Sequence, residues 1–304
     1  MLVRLKNASK RFNRSVIFNY LVALIIFIYL IFPIFWTFIA SVQPHSDLIA
    51  VPPQWPWPLP KHFTLSNYVA LLFPESVQFG EYTEFYPTVA AMFPRALLNS
   101  LIVSTITTLL CLALASLSAY AIARLRFPGK SQLSRGILFI RTIPPLSIAI
   151  PIFLLIRSLG LYDTPIGLSL VYSSFILPLD IWILMGYFAT IPTELEEAAL
   201  VDGCTRVGAL IKVILPCSLP GIVATGLFSF MSAWNEFFFA LILTSSARGF
   251  TAPVVASMFA SETAGIQYGI MTSAGILTII PTVAIALLFQ KYIIKGLIAG
   301  AVKG

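Results

Sequence analysis

The fold is decided by residues 191–216, which read IPTELEEAALVDGCTRVGALIKVILP. Thr193, with Glu196 three positions later, predicts a capping box at the start of a helix. Gly203 predicts a left-handed stop, after which apolar residues recur at helical spacing as far as Pro216. We therefore expect a short helix, a turn and a second helix, called here the elbow (residues 191–216).

Long apolar stretches flank the elbow on both sides. The 304 residues are 58% hydrophobic and only 10% charged, whereas soluble domains average about 25% charged residues. Six stretches are long enough to cross a membrane as helices, which takes roughly 20 residues each. Three of them carry no Asp, Glu, Lys or Arg: Ser15 to Pro44, Ala96 to Ala123 and Thr263 to Gln290. Three carry one ionisable residue each: Gly136 to Ile156 with Arg141, Thr164 to Thr190 with Asp180, and Val213 to Ala247 with Glu236.

The predicted fold is an all-α polytopic membrane protein with six transmembrane helices. The predicted segments are an N-terminal segment (1–14), a first span (15–43), an outer Pro-rich loop (44–94), a core of five spans and the elbow (95–300), and a tail (301–304). The first apolar run is too long for a signal-peptide core and lacks a small-residue cleavage site, so we expect it to stay as a span.

Basic residues fix the predicted orientation. Most of the 19 Lys and Arg residues fall in the N-terminal segment, in the elbow and in the other segments on the same side. Cytoplasmic loops retain such residues, so we predict that both termini and the elbow are cytoplasmic and that the protein is a multi-pass protein of the cytoplasmic membrane, in contact with membrane lipid. The same bias accounts for the net charge of +7, and we expect no nucleic-acid partner.

Two other features have ordinary explanations. Trp55 and Trp57 lie among five prolines, where they could sit at the membrane interface or touch an external partner. The three cysteines, Cys111, Cys204 and Cys217, show no disulfide or metal-ligand spacing, so no metal site is predicted.

On its own residues, the elbow leaves two interpretations open. It could be an amphipathic helix pair that returns the chain to the membrane, or a docking element on which Ala198 and Ala199 leave a shallow face. At this point a family resemblance enters. Glu197-Ala198-Ala199, three residues, Gly203, nine residues, and Val213 to Pro216 resemble the EAA signature of permeases in binding-protein-dependent ABC importers, with Val213 where Ile is usual.

Further segments are similar to carbohydrate importers of the maltose and trehalose type, and within these to the smaller, MalG-like permease. The segments are Leu98 to Ser100, Ala119 to Arg124, Phe127 to Lys130, Ala233 to Glu236, and Gly296 to Gly304.

The resemblance implies a permease subunit without bond chemistry or a cofactor of its own, with ATP and Mg held by a separate ATPase. Its implied partners are a second homologous permease chain, two ATPase subunits and an extracytoplasmic sugar-binding protein. The ATPase contacts would be Glu197, Ala198, Ala199, Asp202, Gly203, Leu215 and Pro216 in the elbow, which acts as a coupling helix, and Ala301, Val302, Lys303 and Gly304 at the C-terminus.

Two further sites are predicted. Ionisable residues in a membrane normally face a cavity or a partner, so Glu236, with Asn235 and Trp234, is the candidate for the substrate path; the alternative is a hydrogen bond to the second permease. Asp180 and Arg141 could pair across helices or lie near helix ends, and neither is predicted to bind the sugar. For the sugar-binding protein we expect a docking surface on the Pro-rich loop and on the last loop, with Arg248, Gly249 and Phe250 as a flexible tip.

Three rival functions stay open at this level. A permease for another solute, such as a polyol or a glycerol phosphate ester, would share every feature above. A secondary transporter would explain the spans, Glu236 and Arg141, but gives no reason for the elbow. A lipid-linked transferase would need clustered acids or histidines at one membrane face, and the acids of the elbow follow a capped helix instead.

Overall fold

The computed structural model describes residues 14–51, 62–76, 85–261 and 265–301. The α-helices are α1 Arg14–Ser41, α2 His45–Leu48, α3 Ser66–Leu72, α4 Phe85–Arg124, α5 Lys130–Ile140, α6 Pro145–Ser158, α7 Pro165–Phe188, α8 Thr193–Val201, α9 Arg206–Ala209, α10 Leu215–Cys217, α11 Leu219–Trp234, α12 Phe238–Leu243, α13 Ala252–Met258 and α14 Tyr268–Ala301. A 3-10 turn at Pro74–Ser76 and a π-helical segment at Leu210–Ile214 complete the helical structure. The strands β1 Ala260–Ser261 and β2 Gly265–Ile266 form one antiparallel hairpin, the only departure from all-α structure in these residues.

Four of these helices are long and apolar enough to cross a membrane: α1, α4, α7 and α14. Two bent pairs, α5 with α6 and the Arg206–Cys217 segment with α11, raise the number to as many as six if each pair counts as one span. The described helices thus allow four to six spans, and the predicted third and fifth spans are bent rather than straight.

Helix α4 is the central element of the fold. It packs against α7 and α11, and its outer part also contacts α3 and α13. Small and polar residues such as Ser104, Thr107 and Ala115 are fully buried on it, which lets the helices approach closely. Helix α1 lies at the outside of the molecule against α14, with most of its side chains exposed, as expected for a helix surrounded by lipid.

The predicted outer loop ends earlier than residue 94. Helix α4 begins at Phe85 and passes through Pro94, a residue that normally breaks or kinks a helix. Tertiary packing accounts for this difference, because the neighbouring Phe93 and Ala96 are fully buried against α13 and α14. The prolines between residues 52 and 60, with Trp55 and Trp57, lie outside the described residues.

Both bent spans change direction where the sequence contains proline. The helices α5 and α6 meet at 92°, with Arg141 to Pro144 between them. The dipeptide Pro144-Pro145 explains the break, because a residue before proline is displaced from helical geometry. The elbow joins α11 at 85°, and the fifth span breaks again at Asn235 to Phe237 before α12.

Candidate functional site

The elbow has the predicted helix-turn-helix form. Helix α8 ends at Val201, and Gly203 adopts a φ of 87°, the left-handed conformation that favours glycine. The Thr205 hydroxyl then accepts a hydrogen bond from the Gly208 N–H at 3.1 Å and caps α9. The glycine stop is therefore confirmed.

The predicted capping box does not form. The residue before α8 is Pro192, and no side chain caps this helix end. Glu196 points inward instead, with 6% of its surface exposed. A partner 76 positions earlier in the sequence has displaced the local backbone interaction.

Glu196 belongs to a buried group that we call the inner cluster (Tyr120, Arg124 and Glu196). The Tyr120 hydroxyl donates to Glu196 Oε1 at 2.5 Å, and Arg124 Nε lies 3.6 Å from Glu196 Oε2. Arg124 also donates to the Ile191 carbonyl oxygen at 2.6 Å. The inner cluster therefore joins the elbow directly to the C-terminal end of α4.

The opposite face of the elbow is largely uncovered by the residues that the structure describes. Glu197, Ala198, Asp202, Gly203 and Pro216 are exposed, and Leu215 is half-buried. Ala199 is only 8% exposed, so it offers little surface to a partner, and its predicted contact stays a prediction. It lies one position beyond Ala198 on a helix, which turns it toward the protein.

Exposed apolar side chains extend the same surface. Val201 is 87% exposed, Ile211 58% and Val207 55%. Apolar side chains grouped with acidic ones at a polar surface are typical of an interaction site. The elbow thus has one face fixed to the membrane helices and another that offers a partner surface.

A second site is an open cavity of about 480 Å³ between the two broken spans. Its walls hold Arg141, which lies in the break between α5 and α6, and Glu236, which lies in the break before α12. The remaining lining residues are mainly apolar and aromatic: Ile143, Pro145, Leu146, Tyr172, Phe175, Ile176, Ser232, Phe238 and Phe239. Arg141 and Tyr172 were not assigned to this site from the sequence.

Glu236 is fixed by backbone contacts. Its two carboxylate oxygens accept hydrogen bonds from the Phe239 N–H at 2.8 Å and the Ala240 N–H at 3.2 Å, at the start of α12. These amides stabilise a negative charge. Each oxygen keeps lone pairs for a further donor, so the carboxylate can cap the helix and also bind a molecule in the cavity.

The neighbouring residues behave differently from Glu236. Trp234 is 3% exposed, and its Nε1–H donates to the Thr278 carbonyl oxygen at 2.9 Å. It is therefore turned toward α14 in this structure, and its place in the substrate path stays a prediction. Asn235 is exposed and donates to the Met231 carbonyl oxygen of its own helix; neither residue lines the cavity.

Asp180 and Arg141 form no ion pair in the part of the chain that the structure describes. Asp180 is fully buried and accepts a hydrogen bond from the Ser229 hydroxyl at 2.6 Å. It thus links α7 to α11, while Arg141 is exposed at the cavity.

The predicted flexible tip at Arg248, Gly249 and Phe250 is instead packed. Gly249 is buried, and a Cβ atom there would lie 2.5 Å from Asp163 Oδ1. Asp163 in turn accepts hydrogen bonds from the backbone N–H groups of Ser245 and Ser246 and from the Ser246 hydroxyl. Only Arg248 of the three tip residues is exposed.

Asn99 holds this segment from below. Its Nδ2 group lies 3.2, 3.1 and 2.9 Å from the carbonyl oxygens of Ala247, Arg248 and Phe250. The adjacent Ser100 hydroxyl accepts from the Ala252 N–H at 2.8 Å. Asn99 and Ser100 therefore position the segment from Ala247 to Ala252 on α4.

Of the predicted C-terminal contact, Ala301 is the last residue of α14, and Val302, Lys303 and Gly304 lie outside the described residues. In those described residues no group of three or more His, Cys, Asp or Glu could hold a metal ion.

Comparison with known proteins finds a matching family and related sequences. Residues 111–298 match the family described as "Binding-protein-dependent transport system inner membrane component". The chain is 35% identical over 282 residues to a trehalose/maltose transport system permease of Thermococcus litoralis, covering 93% of this chain and 95% of the relative. It is 36% identical over 277 residues to a trehalose transport system permease of Mycobacterium tuberculosis, covering 91% and 93%.

A solved structure has the same fold. It is a chain of a bacterial ABC transporter involved in the import of the acidic polysaccharide alginate, with a TM-score of 0.73 and 22% sequence identity. The match covers 93% of this chain and 98% of that one.

Proposed function

Because this chain belongs to the family of binding-protein-dependent transport system inner membrane components, we propose that it forms half of the path by which an ATP-driven importer carries a neutral sugar. Family members are multi-pass permease subunits of ABC importers, which work with a substrate-binding protein and an ATPase on separate chains. The trehalose and trehalose/maltose permeases named above make a disaccharide the first candidate for the solute.

The finer assembly is also a proposal. A second homologous permease completes the path, and two ATPase subunits, which hold ATP and Mg, sit below the pair. The exposed elbow face (Glu197, Ala198, Val201, Asp202 and Gly203) docks on one ATPase. Charged pairs at such a surface contribute only about 0 to 1 kcal/mol each, so the apolar side chains Val201, Val207 and Ile211 supply most of the contact.

The observation that carries this proposal is the two-sided elbow. Its outer face is free to follow a moving partner, while Glu196 on its inner face is tied to Tyr120 and Arg124 of α4. Movement of the ATPase would therefore displace α4 and, with it, the packed α7 and α11. The path then opens alternately to the two sides of the membrane, because the ATPase and the sugar-binding protein stabilise different conformations of the permease.

Three further contacts belong to the proposed assembly. The C-terminal residues Ala301 to Gly304 form a second ATPase contact. On the outer face, the sugar-binding protein docks on the Pro-rich loop and around exposed Arg248, on a segment held rigidly by Asn99 and Asp163. Glu236 lines the substrate path in the cavity.

Sugar uptake into vesicles tests the function directly. We expect the assembled transporter, with its binding protein, to take up radiolabelled trehalose only when ATP is present inside. The variant Gly203→Ala should lower this uptake about three- to tenfold, because a side chain at φ 87° costs about 1–2 kcal/mol and is relieved by moving the elbow.

Gly129→Ala is a matched control. Gly129 has a φ of 81°, and a Cβ atom there would also meet nothing within 4 Å, but it lies in the turn before α5. Gly129→Ala introduces the same backbone strain outside the elbow, so uptake should stay within about twofold of the parent. ATP-independent uptake, or equal effects of the two substitutions, would contradict the proposed coupling.

A further inference from the structure

A buried tyrosine hydroxyl lies at the wall of the cavity between the broken spans. Tyr172 is 2% exposed and lines the cavity, yet its hydroxyl has no hydrogen-bond partner within the residues the structure describes. The phenol lies beside the Glu236 carboxylate, close enough for an electrostatic and a weak hydrogen-bonding interaction, but no well-formed hydrogen bond joins the two groups. A buried hydroxyl without a well-formed hydrogen bond destabilises the protein, and a bound molecule could supply the missing partner.

The other cavity walls are aromatic and apolar, which suits contact with the face of a sugar ring. Phe175 and Phe239 stack with ring centroids 4.7 Å apart, and Phe238 meets Phe239 edge-on at 5.3 Å. These side chains give the cavity an apolar wall beside its few polar groups. A volume of about 480 Å³ lies within the usual range of roughly 300–1,000 Å³ for small-molecule pockets.

The polar groups select the kind of solute. Glu236 accepts hydrogen bonds only, Arg141 donates only, and the Tyr172 hydroxyl does either. A sugar hydroxyl can satisfy all three, because it both donates and accepts. Glu236 and Arg141 together carry no net charge, so the cavity gives no net charge preference for an anion or a cation, whereas a neutral solute with several hydroxyl groups can bond both side chains.

We propose that this cavity is a subsite for one ring of a neutral sugar, in which the Tyr172 hydroxyl bonds a sugar hydroxyl beside Glu236 and Arg141. The proposal rests on the proposed function and adds that this chain itself contacts the solute. It also explains why both interrupted spans break at an ionisable residue, since each break brings that residue to the same space.

Tyr172→Phe tests the contact by removing a single oxygen atom. In vesicles containing the assembled transporter, we expect the trehalose concentration for half-maximal uptake to rise about fivefold. Uptake is then measured for a series of monodeoxy trehaloses. For each analogue we take the ratio of uptake by the variant to uptake by the parent, because this ratio cancels the effect of the analogue on the binding protein. For the analogue that lacks the bonded hydroxyl, the ratio should return to about one.

Tyr187→Phe is the matched control. The Tyr187 hydroxyl also lacks a hydrogen-bond partner in the described part of the chain, but Tyr187 does not line the cavity. We expect no change in trehalose uptake. A Tyr172→Phe ratio that is the same for every analogue, no effect at all, or an equal effect of Tyr187→Phe would overturn the proposal.

Binding without transport gives a second measurement. Trehalose should raise the thermal unfolding midpoint of the purified transporter in the absence of binding protein, with a smaller rise in Tyr172→Phe and none with glucuronate. Stabilisation by glucuronate above that by trehalose would contradict a neutral-sugar site. A parent transporter that takes up no sugar with ATP would overturn the proposed function itself, a result that differs from all of these.

Discussion

Glu196→Ala is expected to abolish coupling between ATP hydrolysis and uptake. The carboxylate is the part of the elbow that accepts a hydrogen bond from Tyr120 and forms an ion pair with Arg124. Removing it leaves the Arg124 side chain, which is 7% exposed, without its counter-charge. Breaking a buried ion pair in this way costs about 3–5 kcal/mol, so we expect the elbow to separate from α4 while its outer face remains intact.

The measurement compares two rates in the same vesicles. ATP hydrolysis should persist, because the docking face is unchanged, while ATP-dependent sugar uptake should fall at least tenfold. Glu194→Ala is the matched control: Glu194 lies on the same helix, two positions earlier, but is exposed, and its removal should leave both rates within about twofold.

Two milder substitutions keep the prediction testable if Glu196→Ala does not assemble. Tyr120→Phe removes one hydrogen bond to a charged group, worth about 1.5–3 kcal/mol, and Glu196→Gln keeps the shape of the side chain without its charge. Both should lower the number of sugars imported per ATP. Normal coupling in both variants would mean that the inner cluster does not transmit the movement.

The inner cluster also shows where sequence-based reasoning succeeds and where it fails. Local rules correctly predicted a helix from Thr193 and a glycine stop at Gly203, because both depend on neighbouring residues. The same rules assigned Glu196 to a capping box. They could not include Tyr120, which is distant in sequence and becomes a stronger partner only after α4 and α8 have packed.

The membrane spans show a similar division. Hydropathy identified all six apolar stretches, since composition alone determines whether a segment can enter a membrane. It does not detect bends, so the breaks near Arg141 and Glu236 were missed. Pro144-Pro145 was a readable signal for the first break. The second break follows Asn235, and the residues around it gave no comparable signal.

The cavity could be predicted only in part. Glu236 was identified because a charge in an apolar stretch needs a cavity or a partner. Tyr172 lies in an apolar helix without any distinguishing pattern, and its role follows from the position of α7 beside the break. Trp234 was assigned to the path by its proximity in sequence, but one helical position is enough to turn a side chain to another face.

Asn99→Asp is expected to stop the binding protein from stimulating the transporter. An amide NH₂ group has two hydrogens, and here it serves the carbonyl oxygens of Ala247, Arg248 and Phe250. Aspartate has nearly the same shape but places an acceptor against these three acceptors. Losing the donor for at least two of them costs about 2–4 kcal/mol, so the segment around Arg248 should leave its position.

The effect should be confined to the outer face. Asn99 and Arg124 lie 25 residues apart on α4, which corresponds to about 37 Å along a helix, so the inner cluster and the elbow should keep their structure. We therefore expect basal ATP hydrolysis to continue while the binding protein no longer stimulates it, with uptake reduced at least tenfold. A transporter that kept normal stimulation would show that the binding protein does not need this segment in its observed position.

Gln132→Glu separates the geometric effect from the added charge. It makes the same amide-to-acid change at an exposed position on α5, far from the segment that Asn99 holds, and should leave stimulation unchanged. Asn99→Leu removes the donors without adding a charge, so its loss of stimulation should be smaller than that of Asn99→Asp but still clear. The three carbonyl groups lose their side-chain donor in both Asn99 variants. Stimulation by the binding protein should therefore fall in both, and it depends on the amide donor that Asn99 provides.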